Sequence, residues 1–212
     1  MKQWDFLKKY KVILMDLWGT LICDGIENIN DMRSDILYKY VGKDKNYWKH
    51  KLIDNIAEYK KIEEHGISKN EVERLREILG ECLYNDEILT NILTEMDNLY
   101  LNNINKIYVN PDFNEIFSLE KDVVLISNSG LLSAKGTRKL LEQLGLIDKF
   151  KQIYLSSECK FCKPNELFYL LPLIDMKLNI QDVIMIGDNI EKDIIPCKKL
   201  NIDTYWIKYE KF

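Results

Sequence analysis

Five side chains in this sequence stand where they could do chemistry together. Asp16 ends the apolar run Val12-Ile13-Leu14-Met15 and leads into Leu17-Trp18-Gly19-Thr20. Ser127, with Asn128, ends a second apolar run. Lys163 stands before Pro164, and Asp188 and Asp193 follow a third run closed by Gly187. The set offers a nucleophilic carboxylate, a hydroxyl, a lysine and a second pair of carboxylates. An acidic cluster without a neutralising arginine suggests a hard cation with oxygen ligands, most simply Mg²⁺. A lysine and backbone amides opposite that cation suit the oxygens of a phosphoryl group. Singly, each residue has a plainer meaning. Asp16 could cap a turn, Ser127 could be a turn residue, Lys163 a surface charge and Asp193 a helix cap.

Such residues act together only if the fold brings distant stretches to one edge. A short apolar run closed by turn residues predicts a buried strand. In an open parallel sheet, the carboxyl ends of the strands share one edge. Beyond the run that ends at Asp16, strands are predicted over Asp122–Ile126, Gln152–Leu155, Val183–Ile186 and Thr204–Ile207. Helices are predicted over Lys2–Tyr10, Asp112–Leu119, Ser133–Leu144 (stopped by Gly145), Asn165–Met176 and Glu191–Leu200. Pro172 should kink or interrupt its helix, and Pro196 is tolerable only in a first turn. Strand and helix alternate from residue 122 onward, which predicts an α/β fold with a doubly wound parallel sheet. Between residues 28 and 105 the periodicity is helical instead. Helices are expected over Asp31–Tyr40, Lys45–Glu64, Lys69–Leu79 and Asp86–Asn102. Ser68-Lys69-Asn70-Glu71 reads as a capping box, and Gly66 and Gly80 as helix stops. Tyr38, Tyr47, Trp48 and Tyr59 recur at helical spacing, which favours core over pocket.

Composition narrows the partners. The chain has 212 residues, 46% hydrophobic and 30% charged, with a net charge of −4. No basic excess exists to neutralise nucleic-acid phosphates. No apolar run has the length of a membrane span, and the first residues lack a signal-peptide layout. Five scattered cysteines fit a reducing, cytoplasmic compartment. Cys159-Lys160-Phe161-Cys162 has metal or redox spacing but no second pair nearby, so two loop thiols are preferred.

Taken together, the motifs resemble those of the haloacid dehalogenase-like hydrolase superfamily over essentially the whole chain. The first is similar to Asp16-Leu17-Trp18-Gly19-Thr20, the second to Ile126-Ser127-Asn128 and the third to Lys163-Pro164. The fourth is similar to Gly187-Asp188-Asn189 followed by Asp193, and Gly136–Phe150 resembles the helix and turn before the third-motif strand. The resemblance implies a Rossmann-like core of residues 1–21 and 109–212 and a helical cap of residues 22–108. It implies that Asp16 takes a phosphoryl group, that Ser127 bonds a transferring oxygen and that Lys163 steadies both. Mg²⁺ would be held by Asp16, Asp188, Asp193 and the backbone carbonyl of Trp18. Gly19, Thr20, Asn128 and Ser129 would line the phosphate. The implied activity is phosphatase hydrolysis of a small phosphorylated molecule by a monomer or homodimer, without nucleic acid or membrane.

Trp18 departs from this pattern. Phosphatases of the family usually carry there a second aspartate, which protonates the leaving group. An indole donates a hydrogen bond but does not shuttle protons at neutral pH. Family dehalogenases carry an aromatic residue at this position, and Tyr169 also fits their pattern. They lack the equivalent of Asp188, however, and carry a cap arginine farther from the nucleophile than Arg33. Phosphatase chemistry is therefore expected first, dehalogenase chemistry second, and a domain that binds phosphate and Mg²⁺ without turnover third.

Overall fold

The computed structural model describes residues 4–80 and 85–208. In chain order the first elements are β1 (Val12–Met15), β2 (Ile22–Asp24), α1 (Ile29–Val41), α2 (Lys45–Glu64), α3 (Glu71–Leu79) and α4 (Asp86–Leu101). Then follow β3 (Ile107–Val109), α5 (Phe113–Phe117), β4 (Asp122–Ser127), α6 (Ala134–Gln143) and β5 (Gln152–Leu155). The chain closes with α7 (Glu166–Asp175), β6 (Val183–Gly187), α8 (Ile195–Lys199) and β7 (Asp203–Trp206).

Every residue of β1 is buried, because β1 is the middle strand of a five-stranded sheet ordered β5-β4-β1-β6-β7. All four strand pairs are parallel. A strand covered on both faces is apolar throughout, and its residues alternate between two cores. Ile13, Met15, Val123, Leu125, Ile184 and Ile186 point into one core, shared with Leu140 and Leu141 of α6 and Phe113 of α5. Val12, Leu14, Val124, Ile126, Val183 and Met185 point into the other, shared with Phe168 and Leu173 of α7 and Cys197 of α8. Register is thereby set, since a slip of one residue would exchange the two cores. Met15 is level with Leu125 and Ile186, so Asp16, Ser127 and Asp188 emerge at one edge.

Helices α1 to α4 build a third apolar cluster among themselves, centred on Leu37, Trp48, Leu52, Leu75 and Ile92, and joined by Leu131. The chain leaves for these helices and returns through the antiparallel pair β2–β3, with Ile22 opposite Val109. No helix among the described residues is long and apolar enough to cross a membrane.

Several local expectations are corrected. The amphipathic start forms only a 3₁₀ turn over Asp5–Lys9; residues 1–3 and Cys82 lie outside the described residues. The capping box sits two residues later, with Asn70 and Glu73 as its partners. Ser68 is drawn elsewhere: its hydroxyl pairs with the Tyr59 hydroxyl and its amide donates to the Lys160 carbonyl. Pro172 lies inside α7, which continues unbroken to Asp175. The last helix is divided by a π turn over Ile190–Ile194, so Pro196 falls in the first turn of α8, where it is tolerated.

Candidate active site

The sheet edge gathers the five predicted side chains. Asp16 lies one residue beyond β1, where its amide donates to the Ile186 carbonyl. Lys163 reaches it from the loop before α7. Its ammonium donates to Asp16 Oδ1 at 2.5 Å and to Asp193 Oδ1 at 2.7 Å, and Lys163 is only 2% exposed. Asp193 Oδ2 accepts the Asn189 amide at 3.0 Å. The Thr20 hydroxyl lies between Asp16 Oδ2 (3.1 Å) and Asp188 Oδ1 (3.2 Å), and its single proton serves one of them at a time.

Oxygens of Asp16, Asp188 and Asp193 lie within 4.8 Å of one another, the one such metal-capable group among the described residues. Two glycines let the carboxylates approach so closely. Gly19 has φ +82°, and a Cβ there would fall 2.5 Å from Asp188 Oδ2. A Cβ on Gly187 would fall 2.4 Å from the Asp193 carboxyl carbon.

Electrostatics follow from this crowding. Burial disfavours the charged lysine, but Asp16 and Asp193 outweigh it and hold Lys163 above its ordinary value. Burial pushes Asp193 up to about 6 against the pull of Lys163. Burial and then the charge of Asp16 raise Asp188. One ammonium against three carboxylates leaves negative charge in excess. The donors are hard oxygens, so the set fits a hard divalent cation.

Asn128 clamps the lysine loop. Its Nδ2 donates to the Lys163 carbonyl at 2.9 Å, and its Oδ1 accepts the Lys163 amide at 2.8 Å. Ser129 is engaged with the next loop: its amide donates to Ser156 Oγ and its hydroxyl accepts the Ser157 amide. Asp16, Ser127, Asn128, Ser129, Lys163, Asp188 and Asp193 all line a cavity of about 530 Å³. Gly19 and Thr20 are not part of its lining; the Gly19 amide donates to the Ile22 carbonyl instead. Trp18 is a cavity wall, packed on Tyr100 of α4 with ring centroids 5.8 Å apart.

A family profile of haloacid dehalogenase-like hydrolases matches residues 10–201. The chain belongs to this family. No curated protein sequence matches it. Among solved structures, it is similar to a HAD phosphatase from Thermococcus onnurineus (TM-score 0.68, 17% identity, 93% of this chain and 86% of that one). It is also similar to a 2-haloacid dehalogenase from Pseudomonas syringae (TM-score 0.62, 15% identity, 93% and 86%). A third likeness is to the putative HAD-hydrolase YfnB from Bacillus subtilis, bound to magnesium (TM-score 0.59, 16% identity, 94% and 87%). At these identities the likeness shows the shared fold.

In this HAD-like hydrolase, the aromatic residues singled out in the sequence divide. Trp48 is core, Tyr38 and Tyr47 are exposed, and Tyr59 lines the cavity. Tyr169 is fully buried and donates to the Lys192 carbonyl, outside the cavity lining. Cys159 and Cys162 are free thiols, and burial pushes Cys162 up to about 12. Sequence reasoning missed Arg74 and Tyr100, and set Arg33 aside; all three line the cavity. One signal was available: only four of the 30 basic residues are arginines, and two of those four stand here.

Proposed function

We propose that this HAD-like hydrolase is a Mg²⁺-dependent phosphatase of a small phosphorylated molecule, acting through an aspartyl-phosphate on Asp16. The observation that carries this reading is the cluster of three carboxylates only partly compensated by one lysine. Asp16, Asp188 and Asp193, with the backbone carbonyl of Trp18, would hold Mg²⁺. When bound, the cation offsets the repulsion between an anionic nucleophile and an anionic phosphate.

Asp16 attacks phosphorus, and the bond from phosphorus to the ester oxygen breaks with its electron pair on the leaving group. Lys163 restrains the Asp16 carboxylate and offers a proton-bearing cation to the phosphoryl oxygens. The Ser127 hydroxyl bonds one of those oxygens. Asn128 acts at one remove, by fixing the backbone of Lys163, and Thr20 and Gly19 support the carboxylates in the same indirect way. Water then attacks the aspartyl-phosphate, gives up its proton, and releases phosphate with Asp16 restored. Residues 22–108 act as a cap over the cavity and select the substrate. The free thiols of Cys159, Cys162 and Cys197 support a reducing, cytoplasmic setting.

Trp18 favours one second reading, a dehalogenase, because halide leaves unprotonated. Tyr169 lends it little support, since its hydroxyl is engaged with a backbone carbonyl. Phosphate release from an ester panel, and halide release from 2-haloacids, should be measured with Mg²⁺ and with chelator. Phosphate release that stops in chelator supports the phosphatase. Halide release that persists in chelator overturns it.

A further inference from the structure

The cavity has a second feature besides the carboxylate cluster. Arg33 of α1 and Arg74 of α3 both line it, at 6% and 3% exposure. Neither makes an ion pair among the described residues. Arg33 donates to Asn30 Oδ1 and to the Tyr100 hydroxyl, both at 3.1 Å. Arg74 donates to Asn55 Oδ1 at 3.3 Å, and its guanidinium carbon lies 3.8 Å from the centre of the Tyr59 ring. Every one of these acceptors is neutral. The Nε atoms of both arginines are buried with no acceptor at all.

A buried guanidinium without a counter-charge is strongly unfavourable, and two in one wall are more so. Burial, with repulsion from Arg33, already draws Arg74 below its ordinary value. No cavity carboxylate is bonded to either guanidinium among the described residues, and Glu63 acts on Arg74 only at a distance. Glu63 is held by Lys192 at 2.7 Å, and Asp16 and Asp193 by Lys163. Asp24 accepts the Ile26 amide. Among the described residues neither guanidinium has a carboxylate partner, and a guanidinium fork is shaped for the oxygens of a carboxylate or a phosphate.

We propose that Arg33 and Arg74 form a second anion site on the helical wall of the cavity, which binds a carboxylate or second phosphate group carried by the substrate. This rests on the phosphatase reading for the identity of the reacting end. The substrate is then a phosphate ester with two anionic ends, one toward Asp16 and Lys163 and the other toward the two arginines. Tyr59 packs on the Arg74 guanidinium and the Tyr100 hydroxyl accepts from Arg33, so each arginine is held by a tyrosine.

Three esters test this: phenyl phosphate, meta-carboxyphenyl phosphate and meta-phenylene bisphosphate, assayed with Mg²⁺. One or both doubly anionic esters should have a kcat/KM about ten- to a hundredfold above phenyl phosphate, the effect of hydrogen bonds between charged groups. Preference for the carboxylate or the bisphosphate identifies the second group. In Arg74→Met the ratio should fall toward one, while Arg74→Lys should keep part of it. Thermal melting checks that each variant folds, and Arg33→Lys supplies the comparison if Arg74→Met does not. Equal kcat/KM for all three esters in the native enzyme overturns the proposal, as does an unchanged ratio in the variants. If no ester is hydrolysed, the phosphatase reading fails, and the arginine site is decided separately. Malonate and inorganic phosphate are then titrated calorimetrically in chelator. Saturable binding lost in Arg74→Met upholds the site, and absent or unchanged binding refutes it.

Discussion

Trp18→Asp should change which esters the enzyme can cleave. Trp18 sits on the cavity wall with Asp16, but its indole cannot give a proton to a departing alkoxide. A carboxyl group there would stand beside three carboxylates whose oxygens already lie within 4.8 Å of one another. It would face the same cavity as the leaving group, where a carboxyl group can serve as a general acid. General acid–base catalysis is worth about 10²–10⁴-fold. Against this stands the loss of the Trp18–Tyr100 contact, worth about 0.5–1.5 kcal/mol. Trp18 is only half-buried, so its removal should cost less than the truncation of a fully buried indole. The net expectation is a gain for alkyl phosphates and little change for aryl or acyl phosphates, whose leaving groups need no proton. The assay is turnover against leaving-group pKa for both proteins. The native plot should be steep and the Trp18→Asp plot shallow. A flat native plot would mean that another group supplies the proton and that Trp18 does not limit which leaving groups depart.

Three further outcomes are expected. Asp188→Asn should weaken Mg²⁺ binding, read by calorimetry, together with turnover, because it removes one of the three clustered carboxylates. Lys163→Ala should abolish activity and also lower the denaturant midpoint. The lysine is buried between two carboxylates, and removal of one partner from a buried pair costs about 3–5 kcal/mol. Asp97 of α4 accepts the Ser133 amide at 2.8 Å and the Ser133 hydroxyl at 2.5 Å, and burial raises its pKa. A raised carboxylate binds protons more tightly folded than unfolded. Stability should therefore fall as pH rises from the unfolded value near 3.8 to the raised folded one, and level off above it. Asp97→Asn can keep both contacts and should flatten that part of a melting-temperature profile.

The sheet was legible in the sequence because its three inner strands, β4, β1 and β6, are short apolar runs closed by turn residues. Asp16, Ser127 and Asp188 were legible for the same reason, since they stand at the ends of such runs, and Lys163 and Asp193 because they lie in the connections that leave strand ends at the same edge. Helix α2 was expected over Lys45–Glu64 and is found there, since its cap Asp44 and its length are local features. What escaped depends on tertiary contacts. Strands β2 and β3 are three residues each and exist only as partners of one another. The shift of the capping box follows from a hydroxyl pair between Ser68 and Tyr59 that no local pattern encodes. Arg33 and Arg74 lie on separate helices, and only the packing of α1 to α4 brings them to one cavity.

In the proposed reaction Asp16 carries the phosphoryl group. Trp18 provides no base to speed the second step, so the aspartyl-phosphate should persist long enough to trap. The enzyme should be mixed with an acyl phosphate and Mg²⁺, quenched in acid, digested and analysed by mass spectrometry. One phosphoryl group should be found, on Asp16, with none in Asp16→Asn or in chelator. Phosphate release with no phosphoryl group on Asp16, or a phosphoryl group on another residue, would contradict the account.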